Sequence, residues 1–399
     1  MSTQDVEIAV VGAGVIGLAT TLRLRDDGRD VVLIDPNGPG SGASFGNAGT
    51  IAGYGCVPVA TPQVMWSLPR LLLDPDSPLS MPASAVSAML PWLWRFVRAS
   101  STSAATASAR ALAPLLAQAA PAWERRWAAL DCEDIVRREG CLYLYQAPPS
   151  IDAFDFRLRA EHGVKQEPLS PAEVGRLEPA LAPLGRHGVF FPDAMHLASP
   201  ATLMQRMAAA AERRGARQLR ARAVRLQADP TGITLELELE GNGDGEVQRV
   251  RAGQVVIAAG AHSLDLARQA GEDVPLDTER GYHVEYAVDP LPVRRPVCPV
   301  EREVYATPMA GRLRVAGLVE FGGTARAANP QRWAQLDRGA RALFGSLPEP
   351  TSRWVGFRPS MPDGAGHRPR SRRTGCDACF RPRTPRADAG RRHRRPGRR

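Results

Sequence analysis

Three glycines and one carboxylate stand at a spacing that suits an anion and a sugar. Gly12, Gly14 and Gly17 form G-x-G-x-x-G around Val15 and Ile16, and Asp35 follows 18 residues after Gly17. Gly12 permits a tight turn, Gly14 lets a pyrophosphate approach bare backbone, and Gly17 allows close helix–strand packing. A helix beginning at these glycines offers free N–H groups and the positive end of its dipole. Asp35 can accept hydrogen bonds from a ribose diol. The chemistry is the holding of a dinucleotide, and the glycine pattern alone leaves its identity open.

The flanking residues are those needed to position such a site. Val6 to Val11 is an apolar run that predicts a buried strand, Leu18 to Arg25 has helical spacing ended by Gly28, and Val31 to Ile34 predicts a second strand closing on Asp35. The next stretch, NGPGSGASFGNAGTIAGYG, is too rich in Gly and Ser for a simple strand-to-helix connection. Its small residues from Ser41 to Gly49 let backbone lie against a flat ligand. Farther on, Gln254 to Ala258 predicts another apolar strand, and it closes on Ala259, Gly260 and Ala261 as a further point of dinucleotide contact.

The middle of the chain alternates helical and strand patterns. Ala, Leu and Trp recur at helical spacing from about Leu90 to Leu130. Ser170, Pro171 and Glu173 compose a helix start, as do Ser199 and Pro200 for a helix ending near Gly215. GITLELELEG alternates as a half-buried strand, and GNGDGE predicts a hairpin turn. Two strands are predicted around Met309-Ala310-Gly311, then a helix from Pro330 to Gly345. The order predicts a dinucleotide domain made of separated pieces with a sheet-rich domain inserted between them.

Five blocks carry a resemblance: VVGAGVIGLATTLRL…VVLIDP, GASFGNAGTIA, VVIAAGAHS, YATPMAGRLRVAGLVEFGG and WVGFRPSMPD, in that order between residues 10 and 363. Together they resemble the FAD-dependent D-amino-acid oxidase superfamily, and within it bacterial D-amino-acid dehydrogenases of the small-subunit type. The resemblance implies an α/β fold: a discontinuous FAD-binding, Rossmann-like domain of the glutathione-reductase kind, with an inserted α+β substrate domain on a mostly antiparallel sheet. The expected pieces are 1–60, about 196–265 and about 354–363 for the FAD domain, and about 61–195 and 266–353 for the substrate domain. The cofactor implied is FAD, held by Gly12, Gly14, Val15, Ile16, Gly17, Asp35, Ser44, Asn47, Ala48, Gly49, Val224 and Gly260.

The same resemblance assigns Tyr305 and Arg358 to the substrate carboxylate. A planar guanidinium binds a carboxylate through two parallel hydrogen bonds and fixes its orientation. The expected reaction is oxidative deamination of a D-amino acid, by hydride transfer to the flavin, to a 2-oxo acid and ammonium. A cofactor that does the hard chemistry requires no side-chain nucleophile. His196, His262 and His283 read as structural, and Glu320 stays unassigned. The expected acceptor is respiratory, a quinone, with oxygen as the alternative.

Composition narrows the classes. Of 51 basic residues in the 399, 50 are Arg and one is Lys165, which points to a GC-rich gene. The formal charge is +9, yet residues 364–399 alone hold 13 Arg against 2 Asp, a local +11 that leaves −2 for the body. A nucleic-acid partner is therefore not expected of the body. Cys56, Cys132, Cys141 and Cys298 read as buried thiols rather than a disulfide framework. No run of about 18 apolar residues predicts a spanning helix. The expected location is cytoplasmic, with a peripheral place on the inner membrane as the variant.

The segment after Asp363 departs from the family pattern. Members continue with a P-V-I-G-type segment and GHGHLGLT, and neither occurs in the chain. Written as degenerate codons and shifted by one base, Phe380 to Ala389 permit S-G-H-G-H-L-G-L-T. Residues 365 to 368 permit P-V-I-G in the same frame. A reading-frame break at or just after Asp363 is expected, leaving 364–399 as a disordered out-of-frame tail and the FAD domain short of its last strand and helix. The C-x-x-C of Cys376 and Cys379 with His393 is discounted as a zinc half-site. The competing functions are an amine, glycine or sarcosine oxidase, a basic-tail binding protein, and an inactive remnant.

Overall fold

The computed structural model describes residues 3–74, 77–239, 247–363 and 376–378. The predicted GNGDGE turn and most of the segment after Asp363 lie outside these residues.

The seven-stranded sheet grows from the first strand, Thr3–Val11. On one side it pairs in parallel with Val31–Ile34, which pairs in parallel with Arg217–Leu219. On the other it pairs in parallel with Val247–Ile257, and the sheet continues antiparallel through Gly232–Leu239 and Ala221–Asp229. Parallel strands buried on both faces need continuous apolar sequence, and Val31–Ile34 is buried at all four positions. Helices Val15–Asp26 and Pro200–Arg213 cover one face, through Leu18, Leu22, Leu203 and Met207. Both follow the sequence cues. Ser199 caps its helix by accepting from Thr202 N–H at 3.2 Å, with Pro200 in the first turn.

The nine-stranded sheet is mostly antiparallel and draws on residues 79–80, 141–191, 277–320 and 352–360. Its core joins Tyr282, Val284, Val304, Val315 and Leu336, the last from helix Pro330–Phe344. A small three-stranded sheet, Thr50–Ile51, Met195–Leu197 and Val136–Arg137, lies beside the glycine-rich loop. Two large sheets are thus interleaved along one chain.

Two expectations are corrected. Residues 354–363 are expected in the FAD domain, but Ser352–Ser360 pairs along Asp277–Glu285 at the edge of the nine-stranded sheet. Nine consecutive register partners hold it there. The segment after Asp363 is expected to add no strand, yet Cys376–Ala378 pairs in parallel with Val255–Ile257. The partner Gly232–Leu239 covers the long strand only as far as Ala252, so Val255–Ile257 would otherwise present bare backbone on that side. Such an edge accepts any extended segment through main-chain bonds.

Candidate active site

At the dinucleotide end the glycines meet the demands placed on them. Gly12 has φ +106°, and a Cβ there would stand 2.4 Å from Ala258 O. A Cβ at Gly17 would stand 1.8 Å from Gly12 O, so the helix can lie on its own entry turn only without a side chain. Gly14 is the helix N-cap, with no side-chain cap and no acidic residue in the first turn. Val15 N–H donates to Ser44 Oγ at 3.0 Å, which leaves the Ser44 hydroxyl proton to donate outward. The Asp35 carboxylate is fixed by Ala13 N–H and Asn37 N–H, both at 2.9 Å, with lone pairs left for a diol. A helix start lacking side-chain anions, with a spare hydroxyl and a fixed carboxylate, fits a dinucleotide.

Val15, Ser44, Asn47, Ala48 and Gly49 line one cleft of about 350 Å³, together with Trp123, Leu203 and Tyr305. Asn47 shapes the loop itself: its Oδ1 accepts from Gly49 N–H at 2.7 Å and its Nδ2 donates to Ser44 O at 3.1 Å. Ile16, beside the cleft-lining Val15, is exposed. Gly260, at φ +57°, opens a short turn three residues after the Val247–Ile257 strand, with open space where a Cβ would go. Val224 lies at a bulge in its strand, and its carbonyl accepts from Gln269 Nε2 at 3.3 Å.

The loop is gripped from the nine-stranded sheet. Buried Arg314 donates through Nη1 to Phe45 O at 3.0 Å and to Asn47 O at 2.8 Å. His283 Nδ1–H donates to the intervening Gly46 O at 2.9 Å, and its ring stacks on Trp354. Three consecutive carbonyls are thus held by two side chains. Behind them Glu285 pairs with Arg314 and Arg312 at 2.8 Å each and accepts from Ser352 Oγ at 2.8 Å. Burial raises the Glu285 carboxyl, but these donors outweigh it and hold it at about 2. Burial, then the charge of Arg314, holds His283 at about 4, so it is neutral. His196 is likewise held at about 4, chiefly by burial. A buried, neutral His283 bonded to backbone accords with a structural role. Arg314 is the residue that sequence reasoning misses. Its only signal is an Arg inside the apolar strand RLRVAGLVE.

Of the two predicted carboxylate ligands, Tyr305 lines this cleft, and both lie on the nine-stranded sheet. Arg358 extends across the sheet from its edge strand. A Cβ on Gly281 would stand 2.4 Å from Arg358 Nη2, and that nitrogen donates to Gly317 O at 3.3 Å. Two glycines on adjoining strands thus clear a path for one long side chain. Among the described residues Gly317 O is the one hydrogen-bond partner shown for this guanidinium, so most of its donors remain available. Burial lowers the Arg358 pKa, partly offset by Glu279 and by the Tyr305 phenol. Tyr305 OH lies 2.6 Å from Tyr143 OH, and Tyr143 meets the edge of Tyr54, whose ring stacks on Phe191 at 4.3 Å. Burial raises all three phenols above their ordinary value, so they stay protonated and able to donate. The nine-stranded sheet thus presents a guanidinium with spare donors and a protonated phenol that lines the cleft of the glycine-rich loop.

The four expected thiols are free and buried. Among the described residues no cluster could hold a metal ion, and no helix is long and apolar enough to cross a membrane.

Residues 7–380 match the DAO family of FAD-dependent oxidoreductases, and the chain belongs to that family. It is therefore an FAD-dependent oxidoreductase. Among curated relatives it is 32% identical to a D-amino-acid oxidase of Bradyrhizobium diazoefficiens over 370 residues, covering 90% of this chain and 85% of the relative. It is 28% identical to D-amino acid dehydrogenase 2 of Ralstonia nicotianae, covering 90% and 87%. Solved structures agree on the fold: glycine oxidase from Geobacillus kaustophilus has TM-score 0.65 at 22% identity, covering 94% of this chain and 88% of that one. L-amino acid deaminase from Proteus vulgaris has TM-score 0.64 at 15% identity, covering 91% and 85%.

Proposed function

We propose that the site oxidatively deaminates a D-amino acid to a 2-oxo acid and ammonium, and that the electrons pass on to a respiratory acceptor. The observation that carries this reading is the Arg358 guanidinium, held over Gly281 with most of its donors unengaged among the described residues, on the sheet whose Tyr305 phenol lines the cofactor-loop cleft. Gly12, Gly14, Val15, Ile16, Gly17 and Asp35 would hold the pyrophosphate and ribose of FAD, with Val224 and Gly260 at the family's further contacts. Ser44 to Gly49 would lie against its ring. Bound there, FAD would supply the acceptor for a hydride from the substrate α-carbon.

The chain's own residues bind and orient. Arg358 and Tyr305 fix the carboxylate, and fixing one end of a small substrate aims its α-hydrogen. Neutral phenols donate to the carboxylate without repelling it. Water then hydrolyses the imine product, and no side chain need act as a nucleophile. The buried neutral His196 and His283 bear no part in proton transfer.

Relatives named both oxidase and dehydrogenase support either acceptor. An amine, glycine or sarcosine oxidase is the second reading, favoured by the fold of glycine oxidase. Anaerobic mixing of the flavin-loaded protein with D-amino acids, L-amino acids, glycine and sarcosine tests the substrate. Bleaching of the flavin by D-amino acids is expected; bleaching by glycine or sarcosine alone would overturn the reading. Reoxidation by quinone faster than by oxygen would establish the dehydrogenase.

A frame break after Asp363, expected from the sequence, would bear on this chain's own activity. We propose that it leaves FAD weakly held. Resequencing the gene at that codon tests the break, and a yellow, monodisperse, active full-length protein would sink the claim of weak binding.

A further inference from the structure

A second cavity, of about 500 Å³, opens across the strand Met195–Leu197 from the cofactor-loop cleft. Leu197 lines the cleft, whereas its neighbours His196 and Ala198 line the cavity. Successive side chains of a strand leave on opposite faces, so one short strand walls both spaces. The hairpin of Val304–Met309 and Arg312–Glu320 divides in the same way. Tyr305 belongs to the cleft, and Pro308 to Gly311 belong to the cavity. The two spaces share no lining residue.

The lining combines hydrocarbon with positive charge. Leu291, Val293, Pro308 and Met309 supply the hydrocarbon, and Val293 and Met309 are buried. Arg137 and Arg294 supply the charge. Arg137 is braced by its own turn, where Nη1 donates to Asp134 O at 2.8 Å and to Val136 O at 2.9 Å. Its Nε and Nη2 have no hydrogen-bond partner among the described residues. Arg294 gives its backbone N–H to the Glu178 carboxylate, and among the described residues no hydrogen bond or ion pair holds its side chain. The lining carboxylate, Glu139, faces buried Arg295 at 3.9 Å, and Arg295 is bound to Glu178 at 2.7 Å. Three guanidiniums thus stand against two carboxylates, an excess of one positive charge. The charge is felt at the wall: after burial, Arg137 is the largest influence lowering His196, which stays neutral.

We propose that this cavity is a second binding site, separate from the cofactor cleft, for a small organic carboxylate with an apolar body. The anion would meet Arg137 and Arg294, and the body would lie on Val293 and Met309. A space of several hundred Å³, lined by apolar side chains with a few placed polar groups, is the usual form of a small-molecule site. Guanidiniums with spare donors select a carboxylate by charge and by paired hydrogen bonds. The site does not depend on which amino acid is oxidised.

Isothermal titration calorimetry of the full chain with saturating FAD tests it, with 3-phenylpropanoate as the probe. The uncharged isostere 3-phenylpropanamide and the 2-oxo acid 3-phenylpyruvate are titrated alongside. The acid is expected to bind roughly tenfold more tightly than the amide, because a charge-assisted hydrogen bond is stronger than a neutral one. Arg294→Gln is expected to weaken the acid roughly tenfold and to leave FAD affinity, read from quenching of flavin fluorescence, unchanged. Arg358→Met, which removes the cation proposed for the substrate carboxylate, is expected to retain this binding. The opposite pattern, loss in Arg358→Met and retention in Arg294→Gln, would place the probe at the substrate position and overturn the second site. So would equal affinity for acid and amide, or a parent that binds neither. Tighter binding of 3-phenylpyruvate than of 3-phenylpropanoate would support the site and name 2-oxo acids as its ligands; the reverse order would support it for carboxylates at large. Should Arg294→Gln fail to fold, Ala310→Glu, at an exposed lining position, replaces it, and the same loss is expected.

Discussion

Gly281 lies beneath Arg358, and a single methyl on the glycine would stand 2.4 Å from the guanidinium nitrogen Nη2. The reach of a cation from one strand thus depends on the emptiness of the strand between it and its target. Gly281→Ala should displace the guanidinium while leaving the helix-start glycines untouched. A misplacement of about 1 Å costs roughly a hundredfold in rate. The expected outcome is a loss of that order in kcat/KM with flavin binding unchanged; equal loss of both would refute the positional argument.

Arg358→Lys keeps the charge and forfeits the two-pronged geometry. It should raise KM about tenfold or more, and Arg358→Met by a further factor of about ten, since a hydrogen bond to a charged group contributes roughly 1.5–3 kcal/mol. Steady-state kinetics across a D-amino-acid series checks the order. A Lys variant indistinguishable from the parent would remove Arg358 from carboxylate recognition.

Tyr143→Phe leaves Tyr305 in place but deprives its hydroxyl of the neighbour at 2.6 Å. One hydrogen bond of about 1 kcal/mol should be lost. The expected result is KM raised by about fivefold with kcat nearly constant, and Tyr305→Phe should exceed it.

Arg314→Met should loosen the cofactor loop by releasing the carbonyls of Phe45 and Asn47. FAD affinity, read from quenching of flavin fluorescence, should fall by at least tenfold, and Arg314→Lys should recover part of it. Undiminished affinity in the Met variant would show that the loop holds its shape alone.

Acid should destabilise the fold in two stages. His283 and His196 are depressed to about 4, so the unfolded chain takes up their protons first. Their contribution is complete above the unfolded value of about 6.5 and is lost as pH falls towards about 4. Glu285 is depressed to about 2, so its contribution is present above about 4.5 and lost between there and about 2. Tm should therefore decline from about pH 6.5 downward, and His283→Asn should flatten the first stage. A Tm constant between pH 7 and 4 would contradict both burials.

The legible parts of the molecule are those governed by neighbours in sequence. The turn at Gly12, the strand Val31–Ile34 and the cap at Ser199 each depend on a few adjacent side chains. Arg314 is illegible because its meaning lies in carbonyls 267 and 269 residues away. Gly281 is silent for the same reason: an absent side chain matters only once the register pairs Arg358 with Glu279 and its side chain crosses Gly281. Trp354 and its neighbours are misplaced by sequence reasoning because the strand follows a domain crossing that no local pattern marks. Cys376–Ala378 enters a sheet through main-chain bonds, which composition does not reveal.

Arg314 and His283 belong to the sheet that carries Arg358 and Tyr305, yet they close on the loop proposed to face the cofactor. With the proposed roles, the two binding events share one piece of backbone. Linkage then works in both directions: any factor by which an ordered sheet tightens the flavin is the factor by which bound flavin tightens the amino acid. Occupancy of either partner becomes a thermodynamic signal to the other, and the affinity for substrate is a property of the loaded protein rather than of the guanidinium alone.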